Sequence, residues 1–382
     1  MNRISGDLKV LFFGTQMTVG GAQRSLLNLA RWFQRRGYTV TAAFLYDKDG
    51  LFPSWQAAES FELVDLHAWR KGAIWSNFLR LPLGLFRFLR LYWSHRFDGV
   101  MTFTQHSNLI GIPAAWLAKV PVRIASNRGR IDGIPLWMER LHGVLVNSRL
   151  TSCLVTNSAH VCQQALEIEG VRTEKIVIIP NGVEIASPSQ DSRVRIRHEL
   201  GIAQDANLIL SIGRLTDQKG HITLIRSIPH VLEKFPAAIT VLVGDGEVRP
   251  VLEETVQQLG IAPSVRFTGT RTDVSDLLAA TDIFVLPSIS EGMPNALLEA
   301  MGLGVPSIAS DLGAMEGIVT QGETGLLVPP ADAPALAESI IQLLSDGFLR
   351  SRLAQNGKNR IETTFTLDAM CEKYEQLFST LM

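Results

Sequence analysis

The stretch from Asp282 to Gly304, DIFVLPSISEGMPNALLEAMGLG, constrains the fold of this chain more than any other. Ile283 to Leu286 is a short apolar run rich in β-formers and closed by Pro287, which predicts a buried strand delivering the chain to a loop over 288–293. Pro294 presets φ for a first helical turn, and Asn295 to Met301 are mostly good helix formers stopped by Gly302 and Gly304. Strand, loop and helix in this order suit a parallel α/β sheet. There the loop lies at the carboxyl ends of the strands, where ligands bind, and the unpaired N–H groups opening the helix make an anion site. A phosphate fits such a place.

Glu291 stands just before that helix and Glu299 in its second turn, with seven residues between them. A carboxylate beside a diphosphate is repelled, so each is read as a hydrogen-bond acceptor for hydroxyl groups at either end of the phosphates. That describes a nucleotide sugar. The two residues alone also admit a plainer reading, in which Glu291 is a solvated loop charge and Glu299 complements the helix dipole.

The segment EGMPNALLE, from Glu291 to Glu299, resembles the E-x7-E motif of retaining glycosyltransferases with the GT-B fold, family 4 in particular. The resemblance implies that Glu291 contacts hydroxyls of the donor sugar and that Glu299 holds the ribose. Met293, Pro294, Asn295, Ala296 and Leu297 would present backbone to the diphosphate. A second segment supports it. Leu208 to Ile212 is predicted as a strand, followed by Gly213, Arg214 and Leu215, with Lys219 and Gly220 before a helix from His221 to Phe235. Two cations in one loop can neutralise a diphosphate leaving group as its charge develops, although two solvated bases would look the same. The pattern is similar to the family's diphosphate clamp. Further strands, Ile239 to Val243 and Val265 to Thr268, end in Gly244-Asp245-Gly246 and Gly269-Thr270-Arg271. Glycines there are often turn formers only. By resemblance the first lies close to the nucleotide and the second supplies backbone contacts to the base.

The amino-terminal half carries weaker signals. Lys9 to Phe13 reads as a strand, Gly14 to Gly21 as a loop ending in Gly20-Gly21, Ala22 to Arg36 as a helix and Tyr38 to Leu45 as a strand, a βαβ opening. The GGAQR segment resembles a family 4 loop that lies against the donor phosphates and the acceptor. Asp98 to Phe103 is predicted as a strand, Thr104 to Asn108 as a loop and Leu109 to Ala118 as a helix. In many family members a histidine after the corresponding strand contacts the donor sugar; here that role falls to His106, or to Gln105 in an alternative alignment. The run from Trp69 to Arg96 has six basic residues and seven aromatics with no acidic residue, and is predicted helical from Pro82 onward. It suits a helix in the interface of an anionic membrane, or an ordinary surface helix with solvated arginines.

With 382 residues the chain accommodates two domains, and 46% hydrophobic residues supply their cores. The polar stretch Glu184 to Ser192 is read as the linker. The expected fold class is α/β, GT-B, with two Rossmann-like doubly wound domains facing across a cleft: residues 1–184 on the acceptor side and 185–365 holding the nucleotide-sugar donor. A terminal helix, 366–382, would pack back on the first domain. A net charge of -1 excludes a general affinity for nucleic acid. Three cysteines without metal-ligand spacing suit a reducing compartment. The amino-terminal residues lack the apolar region of a signal peptide, and no run reaches 18 apolar residues, so a cytoplasmic protein, peripheral at the inner face of the membrane, is expected.

The resemblance implies transfer of a sugar from a nucleotide-diphosphate sugar to a hydroxyl of a glycan or lipid-linked acceptor, with retention. Arg214, Lys219, Glu291 and His106 would do the chemistry. No D-x-D triplet is read at a plausible strand end, and the two cations fill the neutralising role, so neither a metal nor another cofactor is expected. Two alternatives stand beside it, a sugar-nucleotide epimerase of similar fold and a non-catalytic nucleotide-sugar-binding partner.

Overall fold

The computed structural model describes residues 8–18, 20–70, 74–129, 134–185 and 187–382, with backbone alone for 74–76. The amino-terminal residues 1–7, Lys71, the Trp75 side chain and Ala186 of the expected linker lie outside the described residues. The chain forms two compact units, one of Met1–Asn181 with Leu367–Met382 and one of Gly182–Thr366.

The first unit is a seven-stranded parallel sheet: β1 (Lys9–Met17), β2 (Thr39–Asp47), β3 (Glu62–Asp65), β4 (Gly99–Phe103), β5 (Val122–Asn127), β6 (Cys153–Thr156) and β7 (Ile176–Ile178), in the order β3-β2-β1-β4-β5-β6-β7. The second is a six-stranded parallel sheet: β8 (Leu208–Ile212), β9 (Ile239–Val243), β10 (Val265–Gly269), β11 (Ile283–Leu286), β12 (Ser307–Ser310) and β13 (Leu326–Val328), in the order β10-β9-β8-β11-β12-β13. Both are doubly wound. Strands such as Phe284, Val285 and Leu286 are buried on both faces, as continuous apolar runs in a parallel sheet require, and a separate apolar core covers each face. Strand order reverses between β1 and β4 in the first unit and between β8 and β11 in the second. Each reversal opens a crevice at the carboxyl ends of the strands.

Several boundaries differ from the sequence reading. β1 runs on to Met17 because Gly14, Gln16 and Met17 keep register with Phe44, Tyr46 and Asp47, which shortens the expected loop from its amino-terminal side. The helix expected from Pro82 spans Ile74–His95 with Pro82 inside it. The missing N–H of Pro82 would face the carbonyl of the exposed Phe78, where water can take its place. The helix expected from Leu109 begins at Gln105. The break between units falls after Asn181 rather than after Glu184, since Val183 already belongs to the second core and its N–H donates to Phe365 O at 2.9 Å. The terminal helix Leu367–Leu381 buries Met370, Cys371, Tyr374 and Phe378 in the first core.

Candidate functional site

In the second unit, two loops leave neighbouring strands at the point of reversal. The loop after β8 carries Gly213, Arg214 and Lys219, and the loop after β11 carries Glu291 and leads into the helix Asn295–Gly302. Their backbones are joined. Ile289 N–H donates to Gln218 O at 2.9 Å, and Gly220 lies so close to the second loop that a Cβ on it would stand 2.0 Å from Pro287 O. The loop after β9 closes on the other side, with Gly213 N–H donating to Val243 O and Leu215 N–H to Asp245 O, both at 3.0 Å. Gly244, at φ +132, would place a Cβ 2.0 Å from Gly213 O. At these two positions only glycine permits the approach. Gly244 N–H donates to Gly269 O at 2.9 Å, which ties in the end of β10.

The sequence-predicted cations and carboxylates meet here. Lys219 Nζ donates to Glu291 Oε1 at 2.5 Å, and Ser288 Oγ donates to the same oxygen at 2.7 Å. Glu291 is 8% exposed, so its charge is compensated by the lysine rather than by bulk water. The plainer reading of Glu291 as a solvated loop charge therefore fails. Arg214 is exposed and makes no ion pair among the described residues. Pro294 caps the following helix and is not its first residue, with φ -83, and as a proline it brings no side-chain acceptor to the helix opening. Met293, Pro294 and Leu297 are buried, so this segment offers backbone together with the half-buried Asn295 and Ala296. Glu299 stands in the second turn, half-buried. Arg271 is committed to carboxylates, to Asp273 at 2.6 Å and to Glu199 at 2.5 Å, so its side chain serves the loop while Gly269 and Thr270 present the strand end.

His221 lies behind the cation loop, buried, with its Nδ1 unpartnered among the described residues. Burial, with Lys219 nearby, lowers its pKa to about 4. An unfolded histidine titrates near 6.5, so between these values the unfolded chain binds a proton that the folded chain refuses. The resulting stability is complete above about pH 6.5 and is lost as pH falls toward 4. In a His221→Leu variant this contribution disappears. The difference in unfolding free energy between wild type and variant is expected to change by up to about 1.4 kcal/mol per pH unit across that window. Denaturant titrations at several pH values check it, and a pH-independent difference rejects it.

In the first unit, Gly20 and Gly21 follow β1, with Gly20 as N-cap of the helix Gly21–Arg35, and His106 follows β4. They share the crevice end of adjacent strands. Thr104 holds φ +87, a strained value for a non-glycine residue, and turns β4 directly into the helix, so Gln105 and His106 lie in its first turn rather than in a loop. The structure separates the two candidates. Gln105 is buried and donates to Glu169 Oε1, whereas His106 is half-buried and burial lowers its pKa, which favours the neutral imidazole.

Sequence reasoning missed the buried network beneath them. Glu169 also accepts from Asn127 Nδ2 at 2.8 Å and pairs with His142 Nδ1 at 2.7 Å. Asn108 takes Ser126 N–H on its Oδ1, so its Nδ2 donates to His142 Nε2 at 2.8 Å and the histidine proton sits on Nδ1. A five-residue π-helical turn, Ala165–Glu169, delivers the carboxylate. These residues brace the ends of β4 and β5. Their partners are distant in sequence, and no local pattern marks them.

One D-x-D triplet, Asp47-Lys48-Asp49, does follow a strand, β2, contrary to the expectation from sequence. Asp47 accepts the N–H groups of Leu51 and Phe52, both at 2.9 Å, and Asp49 accepts from Thr18 Oγ1 at 2.5 Å. These carboxylates shape the loop. Among the described residues no cluster of His, Cys, Asp and Glu forms a metal site.

The profile of the Glycosyl transferases group 1 family matches residues 192–360, and that of Glycosyltransferase Family 4 matches residues 19–187. The lipopolysaccharide core biosynthesis glycosyltransferase LpsE of Rhizobium meliloti is 31% identical over 61% of this chain and 65% of its own length, just under two thirds. A UDP-Gal:alpha-D-GlcNAc-diphosphoundecaprenol alpha-1,3-galactosyltransferase of Escherichia coli is 26% identical over 78% of each chain. Anabaena Alr3699/HepE, solved with UDP and glucose, superposes with a TM-score of 0.86 at 23% identity, covering 98% of this chain and 100% of that one. This last likeness establishes the fold.

Proposed function

Since the chain belongs to the group 1 glycosyltransferases of family 4, we propose that it transfers a sugar from a nucleotide-diphosphate sugar to a hydroxyl of a glycan or lipid-linked acceptor in bacterial cell-surface polysaccharide synthesis. The observation that carries this is the convergence of Arg214, Lys219, Glu291 and the N-terminus of the helix Asn295–Gly302 on two loops at the β8–β11 reversal. The diphosphate takes the helix N-terminus and the cations, Glu291 takes sugar hydroxyls, and Glu299 takes the ribose. Breaking the bond from the anomeric carbon to the diphosphate puts charge on the leaving oxygen. Arg214 and Lys219 stabilise that charge, so no metal is needed for it. The acceptor oxygen bonds to the anomeric carbon on the face the diphosphate leaves, its proton passes to the departing phosphate, and the configuration is retained. Gly20 and Gly21 are assigned to the donor phosphates and the acceptor, and His106 to the donor sugar, the roles the family resemblance implies.

The relative that acts, by its name, on a diphosphoundecaprenol-linked sugar supports a lipid-linked acceptor. Among the described residues no helix is long and apolar enough to cross a membrane. Contact with an anionic membrane surface is assigned to Trp69–Arg96.

Nucleotide sugars are expected to raise the unfolding temperature, and an acceptor to be required for release of nucleoside diphosphate. Turnover of the nucleotide sugar without acceptor would instead favour an epimerase. Within that assay, Glu291→Gln is expected to impair use of the sugar while the affinity for nucleoside diphosphate changes little, and Glu299→Gln to weaken that affinity about tenfold, the loss of a hydrogen bond to a charged group. Calorimetry with nucleoside diphosphate separates the two. Equal losses would contradict the assignment.

A further inference from the structure

We propose that the outer face of the helix Leu136–Asn147 belongs to a lipid-docking surface shared with the helix Ile74–His95, built for a bilayer carrying anionic lipids. The proposal rests on the membrane reading of Trp69–Arg96 and extends it to an element that reading did not include. Helix Leu136–Asn147 is amphipathic in the reverse sense. Its buried stripe is Glu139, His142, Gly143 and Val146, and its exposed residues are Leu136, Trp137, Arg140, Leu141 and Val144. The inward positions are taken by the His142–Glu169 pair and by Gly143, where a Cβ would stand 1.8 Å from Glu169 O. The apolar stripe is left to solvent, with Trp137 63% exposed.

The neighbouring elements continue the surface. Helix Gln105–Leu117 packs against both helices and ends in the exposed Trp116 and Leu117. Helix Ile74–His95 buries Phe88, Leu91 and Tyr92 but exposes Phe78, Leu83, Phe86 and Trp93. The helices Gly21–Arg35 and Leu367–Leu381, which cover the other face of the same sheet, expose no large apolar side chain. The contrast therefore belongs to one face. Exposed apolar side chains gathered on neighbouring helices of one face mark a contact site.

Charge selects the occupant. The only acidic residue on the three helices is Glu139, which is 2% exposed, while Arg87, Arg90 and Arg140 are exposed among the apolar side chains. Tryptophans and leucines interspersed with arginines, without a carboxylate, match the headgroup and acyl boundary of an anionic leaflet.

The test is co-sedimentation of the full chain with phosphatidylcholine–phosphatidylglycerol vesicles at low salt, with pure phosphatidylcholine as control. Wild type is expected to sediment with the anionic vesicles. A Trp137→Ser, Leu141→Ser, Val144→Ser variant is expected to bind at least about tenfold more weakly, since it loses three apolar groups from the interface. Arg140→Glu repeats the test with one surface charge and is expected to weaken binding to anionic vesicles alone. If the triple variant binds as wild type does, helix Leu136–Asn147 is no part of the surface and the reading of Trp69–Arg96 stands. If wild type binds no vesicles, that reading falls and this one with it. Concentration-dependent dimerisation abolished by the triple variant would assign the face to a second copy and overturn the proposal.

Discussion

Replacing Arg214 by alanine is expected to lower turnover by about 10²–10³-fold while the affinity for nucleoside diphosphate falls much less. Arg214 is exposed and pairs with no carboxylate among the described residues, and it shares its loop with Lys219 beside the opening of the helix Asn295–Gly302. A cation there meets charge already present on the bound diphosphate, but it meets more as the leaving oxygen develops its own. Interactions that strengthen in the transition state appear in kcat rather than in binding. Lys219→Ala is expected to differ. It removes a cation and also leaves Glu291 buried without its partner, so sugar positioning and stability fall together with turnover. The double variant should lose less than the product of the two single losses, because both residues act on the same group. Single-turnover rates and calorimetric Kd values check this. Unchanged turnover in both single variants would remove the cation pair from the mechanism.

The largest loss of stability is expected from Arg197→Ala, about 3–5 kcal/mol. Arg197 is fully buried in the helix Ser192–Glu199 and donates to Ala280 O at 3.1 Å, Ala203 O at 3.0 Å, Ala206 O at 2.7 Å and Asp282 Oδ2 at 2.6 Å. Asp282 in turn accepts Leu208 N–H at 2.7 Å, so this one side chain holds together the starts of β8 and β11, the two strands whose far ends carry the site. Alanine leaves buried carbonyls without donors and leaves Asp282 with Arg193 as its remaining cation among the described residues. Lysine restores the charge but not the planar fork that reaches several carbonyls at once, and is expected to recover little. Urea unfolding measures the effect. A loss below about 1 kcal/mol at unchanged slope would show that the hub contributes no more than a surface pair.

Much of the candidate site in the second unit was legible in the sequence because its parts are local. Glu291, the helix-opening proline and Glu299 lie on one strand–loop–helix element, and Gly213 to Gly220 on another. Glycine and proline mark where each strand stops, and a parallel sheet brings successive strand ends to one edge whatever the details of packing. Tertiary structure decided the rest. The Lys219–Glu291 pair joins residues 72 apart, the Arg197–Asp282 pair residues 85 apart, and Gln105 differs from His106 by its bond to a carboxylate 64 residues further on. The break between units moved because Val183 bonds to Phe365, a contact that no linker composition foretells. Periodicity also misleads wherever an interior is polar. It assigns the apolar stripe of a helix to the core, but around His142 and Glu169 the core position was already taken by a hydrogen-bonded pair, and Trp137, Leu141 and Val144 were turned outward. A sequence records which side chains a helix carries on each side, and only the neighbours that fill the space beside it determine which side is buried.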